Sequence, residues 1–374
     1  ALATPFAVQV SPDDSTLLLT AAGSDKLVTM DAKTGRILGR VQVGAVPRGI
    51  ALRANEDGEP LRAWVYNAVA NSVSVVDLAD LAAPKVTDTL ALHDPTHPVF
   101  KEGRIAFNTA EASTTRTFSC ASCHPDGHTD QLLWVLTTPI VTGGNQIMPR
   151  STMPVRGLRD TASFHWDGIP GDPYGGINSA SIRSHVEPNS KVDDPVSQTR
   201  HLVDGGLANT MARVGDETKN DTGQPGRLTE AQRDALSKFL LGVTYPPAQR
   251  RAYDNELSAR AEEGFELFHV KGDNDPTKRK PNVCGDCHRM PFWVSTNTPG
   301  SGMDAPTWRG AYDRFLILPQ GRLNIIDFPF YRRVAEEGIP EREVWKFSWG
   351  GRSRFDPVWD MVLEGSTGFS CSLG

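Results

Sequence analysis

Apolar and polar residues alternate in short runs over residues 1–92, and turn residues separate these runs. The stretch "TPFAVQVSPDDSTLLLTAAGSDKLVTMD" (residues 4–31) is an example. A period of two is typical of β-strands that bury one face. The pattern therefore predicts a series of short strands at the beginning of the chain.

The strand pattern occurs twice. "TPFAVQVSPD" aligns with "VPRGIALRAN", which places Pro5 on Pro47, and "DKLVTMD" aligns with "NSVSVVD", which places Asp31 on Asp77. A repeat of 42 to 46 residues with four short strands is typical of a propeller blade. A propeller needs about four blades or more to close. We therefore expect either that earlier blades precede this stretch, which we favour, or that its strands pack on something else.

From residue 97 onward the spacing of apolar residues changes to that of helices joined by long loops. Residues 227–243, "RLTEAQRDALSKFLLGV", predict a helix that begins with a capping box of Thr229 and Gln232. We therefore predict a mainly α domain made of two similar halves, preceded by about two propeller-like blades. The predicted divisions are 1–92 for the blades, 97–250 for the first half and 251–374 for the second half.

Four of the five cysteines occur in two short stretches, "FSCASCHPDGH" (118–128) and "NVCGDCHRM" (282–290). Two thiols three residues apart, followed at once by an imidazole, form the attachment pattern of haem c, in which the histidine is the proximal iron ligand. A zinc site would require both distant pairs to converge, and a thiol redox pair has no need of the histidine. We predict two covalently attached haem c groups, held by Cys120, Cys123, His124, Cys284, Cys287 and His288.

Composition bears on the partners of the protein and on its location in the cell. The net charge of −6 and the absence of a basic run argue against a nucleic-acid partner. No stretch approaches the ~18 apolar residues that a membrane span needs, and "ALATPFAV" has no signal-peptide character. Because haem c is attached after export in bacteria, we expect a periplasmic or otherwise exported protein in mature or truncated form. The fifth cysteine, Cys371, is interpreted as an incidental thiol, with a link to a partner or a lipid as the alternative.

Each half repeats the same order: a helical segment, a Cys-x-x-Cys-His motif, a long loop and an Arg-Gly turn, "MPVRGL" (153–158) and "APTWRG" (305–310). Over about residues 97–370 this arrangement resembles the bacterial dihaem cytochrome c peroxidase and MauG superfamily, and the strands in front resemble its propeller hybrids. The resemblance implies electron exchange with a small redox protein, hydrogen peroxide as a substrate and a structural calcium ion between the halves. It also implies a homodimer or a larger redox complex.

The resemblance also assigns roles to residues. "FHWDG" (164–168) points to Trp166 as a path for electrons, and "SHVEP" (184–188) points to Glu187 as the general acid/base for peroxide. "DPVWDMVLEG" (356–365) points to Met361 as the second ligand of the second iron. A core tryptophan, an exposed carboxylate and an apolar helix residue remain the alternatives for these three.

Other ligands stay open. For the sixth position of the first iron the candidates are water, His165, His128, Met148 and Met153, and for the second iron Met303 and Met290 follow Met361. Arg156 and Arg309 are expected to pair with haem propionates, because a guanidinium fork fits a carboxylate, or else to form loop ion pairs.

The sequence also departs from the peroxidase pattern. The loop "QLLWVLTTPIVTGGNQIMP" (131–149) lacks the distal histidine of the family, and "AYDRFLILPQGR" (311–322) replaces its aromatic-His-Asp-Gly segment. Two functions therefore remain. One is electron transfer with peroxide reduction at the first haem, which we favour, and the other is electron transfer alone through two six-coordinate irons. A scaffold built on the blades is the weaker third possibility.

Overall fold

The computed structural model describes residues 2–130, 132–140, 144–160, 191, 194–208, 210–248, 250–254, 256–272, 283–288, 310–314 and 352–365. The chain divides into two compact units. The first unit comprises Ala1–Asp126 with Thr199–Gly242, and the second comprises Gly127–Gln198 with Val243–Gly374.

The first unit begins with two four-stranded antiparallel sheets, each with its strands in chain order. The first sheet consists of β1 (Pro5–Val10), β2 (Thr16–Ala21), β3 (Lys26–Asp31) and β4 (Ile37–Gln42). The second sheet consists of β5 (Pro47–Ala54), β6 (Pro60–Asn67), β7 (Ser72–Asp77) and β8 (Lys85–Ala91).

The two sheets share one apolar core. Leu18 and Leu27 of the first sheet pack in a single cluster with Ala63, Val65 and Val76 of the second sheet. All five side chains are fully buried. The alternation of the sequence explains this contact, because every second residue of a strand points to the same face.

Helices follow the sheets. They are α1 (Pro98–Asn108), α2 (Cys120–Cys123), α3 (Pro195–Ala208), α4 (Glu230–Gly242), α5 (Ala259–Glu266), α6 (Cys284–Cys287) and α7 (Arg352–Gly365). A π-helical turn, Leu267–Lys271, continues α5. Short 3-10 turns occupy Ala110–Ala112, Pro125–Gly127, Leu158–Asp160 and Ala311–Arg314. None of the helices among the described residues has the length and apolar character to cross a bilayer.

The expectation of a mainly α domain behind about two propeller-like blades is wrong. Besides the eight strands of the two sheets, β9 (Leu133–Ile140) and β10 (Gly144–Ser151) pair as an antiparallel hairpin in the region expected to contain helices and loops. The physical reason lies in the local sequence, since "LWVLTTPI" is rich in β-branched and aromatic residues that favour strands.

Helix α1 ties the sheets to the helical part of the first unit. Its Ile105 packs against Ala22, Val46 and Val69, which lie at the ends of the sheets. Just after the helix, the amide of Ala110 donates a 2.7 Å hydrogen bond to the carbonyl of Gly23. The sheets and the segment that leads to the first Cys-x-x-Cys-His motif are therefore held together.

Helices α1 and α4 cross closely because Gly103 has no side chain. A Cβ atom placed on Gly103 would overlap the backbone oxygen of Ala235 and the Cβ of Phe239. Beside this crossing, the rings of Phe107 and Phe239 lie 5.7 Å apart between centroids. The predicted capping box is present at the start of α4. The backbone amide of Gln232 donates to the Thr229 hydroxyl at 3.2 Å, and the backbone amide of Thr229 donates to the side-chain oxygen of Gln232 at 3.0 Å.

A buried arginine links α3 and α4 of the first unit. Arg233 is fully buried and donates to Asp204 at 2.8 Å and to the carbonyl of Leu228 at 2.9 Å. Arg200 contacts the other oxygen of Asp204 and also pairs with Glu230. The carboxylates around Arg200 raise the pKa of its guanidinium despite partial burial. Each charge in this group therefore has a partner, as a buried ion needs.

The helix crossing gives a test with an internal control. We expect Gly103→Ala to lower the free energy of unfolding by about 1–3 kcal/mol, because the added methyl group overlaps the backbone of α4. In an open helix the same change stabilises by about 0.5–1 kcal/mol. Gly205→Ala in α3 is the control, since a Cβ there would have no atom within 4 Å. Urea denaturation of both variants measures the effect, and a gain of stability at Gly103 would contradict the crossing.

Candidate functional site

The first Cys-x-x-Cys-His motif forms one closed helical turn. The amide of His124 donates to the carbonyl of Cys120 at 2.9 Å, which completes α2. Ser119 precedes the turn, and its amide donates to the Ser122 hydroxyl at 3.0 Å. Beyond the turn, Asp126 adopts a φ of 51° and accepts a 2.8 Å hydrogen bond from Arg48. Both sides of the motif are therefore anchored within the first unit.

The second motif repeats this geometry in the second unit. The amide of His288 donates to the carbonyl of Cys284 at 2.8 Å, which closes α6. The backbone leaves the two turns in nearly the same way, with φ and ψ of −115° and 62° at His124 and of −102° and 62° at His288. Two distant segments thus adopt one local conformation, in which two cysteines one helical turn apart precede a histidine.

Burial changes the ionisation of one cysteine in the first motif. It raises the pKa of the Cys120 thiol to about 12, because burial disfavours the charged thiolate. At neutral pH this sulfur therefore remains protonated in the structure. A neutral thiol is a poor nucleophile, which argues against attack by Cys120 as a free thiolate.

The π-helical turn of the second unit brings an unassigned histidine to the second motif. The Nδ1 atom of His269 lies 3.0 Å from the position that a Cβ on Gly285 would occupy. The His269 ring also stacks near Phe265 and Phe268, with centroid distances of 4.4 Å and 4.9 Å. Burial among these groups lowers the pKa of His269, so the neutral imidazole is favoured.

The predicted ligand Met361 lies in the core next to the second motif. It is almost fully buried in a cluster that contains Phe268, Val358 and Val362. Cys284 packs against the same cluster. The structure therefore brings Met361 and one cysteine of the motif to the same apolar region, and the ligand role of Met361 stays a prediction.

The predicted Arg156 pairs with a carboxylate of the protein. Its Nε donates to Oδ2 of Asp313 at 2.8 Å, and its Nη2 donates to Oδ1 of the same group, so the contact is bidentate. The Nε2 atom of His128 lies 3.4 Å from Asp313. All three belong to the second unit, and Asp313 is nearly buried. This is the loop ion pair that the sequence left open as an alternative to a propionate contact.

Several predicted residues lie outside the described part of the chain. These are Trp166, Glu187, His165, Met303 and Arg309. The backbone of Cys287 is described within α6. The predicted peroxide chemistry depends on Trp166 and Glu187, so it stays a prediction.

The cofactor prediction is corrected. Among the residues that the structure describes, no group of three or more His, Cys, Asp and Glu side chains is placed to hold a metal ion. The predicted pair of haem c groups and the calcium ion between the halves are therefore wrong for this part of the chain. The acidic group beside His128, Asp313, is bound by Arg156, and no other described element completes such a group at either motif.

Sequence reasoning missed two residues of these sites. His269 stands at the end of "EEGFELFH", which predicted only a helix with an apolar stripe. Asp313 stands in "AYDR", three residues after the second Arg-Gly turn. The available signal was position alone: His269 is a titratable residue shortly before the second motif, and Asp313 is one shortly after the second Arg-Gly turn. Their partners are distant in the sequence, however, and only the folded chain identifies them.

Comparison with known proteins shows little similarity. No protein-family model and no curated protein matches the chain. A solved structure of hydrazine synthase from Kuenenia stuttgartiensis is 31% identical over 25% of this chain and 24% of its own length, with a TM-score of 0.22. A second structure of that enzyme, pressurized with 20 bar xenon, is 19% identical over 57% of this chain and 54% of its own, with a TM-score of 0.33. The chain thus spans at most about half of these structures.

The contact between Arg156 and Asp313 can be tested by removing the cation. We expect Arg156→Met to lower the free energy of unfolding by about 2–4 kcal/mol, because it leaves a nearly buried carboxylate without its partner. Arg250→Met is the control, since Arg250 is exposed and its partner Asp360 keeps a second cation, Arg260, so we expect a loss of less than about 1 kcal/mol. Chemical denaturation measures both, and equal small losses would contradict the role of this contact.

The lowered pKa of His269 predicts a pH dependence. Its folded pKa lies below the ordinary value of about 6.5, so the unfolded chain binds more protons as the pH falls through this range. We therefore expect the contribution of His269 to be complete above about pH 6.5 and to be lost progressively at lower pH.

Urea denaturation between pH 5 and pH 8 measures this dependence. His269→Gln should reduce the slope of the free energy of unfolding against pH. His93→Gln, at an exposed position, should leave that slope unchanged. Some slope should persist because burial also lowers the pKa of His201. A slope that His269→Gln leaves intact would show that this residue does not titrate in the window.

Proposed function

We propose that this chain is an exported electron-transfer protein whose redox chemistry takes place at the two Cys-x-x-Cys-His turns. We further propose that it is related to the dihaem peroxidase and MauG superfamily. Thiols one helical turn apart and a neighbouring imidazole are groups that proteins use in redox chemistry. Both turns supply these donors in the same order.

The observation that carries the proposal is the repetition of one backbone conformation at two distant places. Both turns close with a hydrogen bond from the histidine amide to the first cysteine carbonyl, at 2.9 Å and 2.8 Å. Both histidines then leave the helix with nearly equal φ and ψ. Both turns therefore present two thiols and an imidazole in the same order and in the same local conformation.

The order of elements around the turns supports the relationship. In each unit a helix with a glycine at a close crossing, Gly103 or Gly264, precedes the turn. Each turn therefore has a helix of the same kind before it in the chain. This order is the part of the family resemblance that falls within the described residues.

A reductive titration of the protein, produced in a host that exports it, tests the proposal. We expect the wild type to take up and release electrons reversibly in two steps. His124→Ala should alter or abolish one step, His288→Ala the other, and the double variant both. His93→Ala serves as the control, because this exposed histidine belongs to neither turn.

Peptide mass spectrometry of the stretches 118–128 and 282–290 from the same sample identifies what the four sulfurs carry, independently of the titration. Reversible electron uptake that the double variant retains would move the redox chemistry elsewhere in the chain. Absence of any reversible uptake in the wild type would contradict the proposed function.

A further inference from the structure

The first strands of the two sheets differ at one position of the repeat. Pro5 of β1 aligns with Pro47 of β5, so Phe6 and Arg48, which follow the two prolines, occupy equivalent positions. In each strand one extra residue interrupts the register with the next strand just after the proline. Such bulges bend a strand and redirect the side chains at that point. The same irregular position therefore holds an aromatic ring in one sheet and a cation in the other.

The two side chains at this position stack on each other. The guanidinium carbon of Arg48 lies 4.7 Å from the centroid of the Phe6 ring, which is within the range of a cation–π contact. This contact uses the charge of Arg48 and leaves the N–H groups of its guanidinium for hydrogen bonds with other partners.

The hydrogen-bond partner of Arg48 belongs to the first Cys-x-x-Cys-His motif. Its Nη2 atom donates to Oδ1 of Asp126 at 2.8 Å, although the two residues are 78 positions apart in the sequence. Asp126 is the second residue after His124, and its φ of 51° and ψ of 31° lie in the left-handed region. That region is unfavourable for a residue with a side chain. The ion pair therefore stabilises a strained backbone at the exit of the first turn.

Stability of the fold alone does not explain this arrangement. The side chains of Arg48 and Asp126 are 27% and 70% exposed, and an ion pair with so exposed a partner contributes little to stability. The Nε atom of Arg48 is buried and has no hydrogen-bond partner in the described part of the chain, which is a cost. An arginine that leaves one donor unsatisfied and gains a weak ion pair indicates a role at the motif that it contacts.

The ion pair is close enough to the first turn to affect a charge there. Consecutive Cα atoms lie about 3.8 Å apart, so the Cα atom of Asp126 lies within about 8 Å of that of His124. This distance is comparable with the Debye length of about 8 Å at physiological salt, and half-buried charges are screened less. Without Arg48 the carboxylate of Asp126 would present an unpaired negative charge beside the turn, which opposes the arrival of an electron.

We propose that Arg48 is a positioning residue for the first turn. It holds the exit of the turn through Asp126, and by neutralising that carboxylate it favours electron uptake at the turn. Electron uptake at this turn rests on the proposed function, whereas the hold on the exit does not depend on it. The second sheet thereby influences a motif that lies outside it.

A mediated reductive titration of the full chain tests the effect of the charge. Arg48→Met should lower the equilibrium constant for electron uptake in the step that depends on His124. We expect a decrease of roughly 2- to 15-fold, the effect of one charge about 10 Å away at an effective dielectric constant of about 80 to 20. Asp126→Asn should raise this constant, and the double variant should return it close to the wild-type value. The step that depends on His288 should not move in any of them.

Arg53→Met is the matched control. Arg53 is an exposed arginine of the same strand and lies about 16 Å farther along it, so its removal changes the net charge equally and leaves the ion pair in place. A structural disturbance would shift Arg48→Met and Asp126→Asn in the same direction, and that result would overturn the charge effect. An equal shift for Arg53→Met would overturn it as well.

Hydrogen–deuterium exchange tests the hold on the exit, also in a protein that takes up no electrons. Arg48→Met should speed the exchange of the amides in residues 118–128 by about 2- to 5-fold, because loss of a surface ion pair makes local opening easier. Exchange in residues 282–290 should stay the same, and Arg53→Met should change neither stretch.

Failure of this proposal and failure of the proposed function give different results. A wild type without reversible electron uptake contradicts the proposed function and removes the effect of the charge. A wild type with reversible uptake, whose first step Arg48→Met does not shift, overturns the effect of Arg48 alone. Unchanged exchange of residues 118–128 in Arg48→Met overturns its hold on the exit in either case.

Discussion

The described structure depends on a glycine at a close helix crossing in each unit. At Gly103 the backbone of α1 approaches that of α4, and at Gly264 the backbone of α5 approaches α7 at Pro357 and Val358. No side chain larger than a hydrogen atom fits at either position without moving the partner helix. The two glycines lie in the matching segments "KEGRIAFN" and "EEGFELFH", each of which precedes a Cys-x-x-Cys-His motif. The crossing thus determines where the chain enters each motif.

The consequences differ between the units because different elements surround the crossings. In the first unit α1 also holds the sheets, through Ile105 and through the hydrogen bond that follows the helix. In the second unit α5 continues into a π-helical turn, which places His269 against the second motif. Such turns are rare and occur frequently at functional sites, because the extra residue redirects the side chains that follow. Both units therefore have a helix crossing at a glycine, but the elements next to the crossing differ, and the sequences of the two motifs do not indicate this difference.

Much of the local structure could be predicted from the sequence. The alternation around "TLLLTA" and the alignment of Asp31 with Asp77 indicated short strands in two repeats, because a period of two and a recurring turn are local properties. The sequence also predicted the capping box at Thr229, and the structure confirms it. The hairpin of β9 and β10 was not predicted, although the β-branched and aromatic residues of "LWVLTTPI" favour strands.

The candidate sites were less predictable, because their contacts join residues distant in the sequence. Nothing near Arg156 in the chain indicates Asp313, and the carboxylate became visible only when the fold brought the two together. The cofactor prediction relied on the motif alone, and the described residues around it supply no cluster of metal-binding groups. A motif identifies the donors that it contains, whereas a site also requires the groups that other elements bring to it.

The two turns therefore share a conformation and differ in their surroundings. Cys120 is half-buried in the first unit, where burial of its sulfur raises the pKa of the thiol to about 12. Cys284 packs on the apolar cluster of Met361, and His269 lies against the same turn. Burial and neighbouring groups shift the pKa of a thiol or an imidazole. Two turns with one backbone conformation therefore hold their cysteines and histidines in chemically different environments.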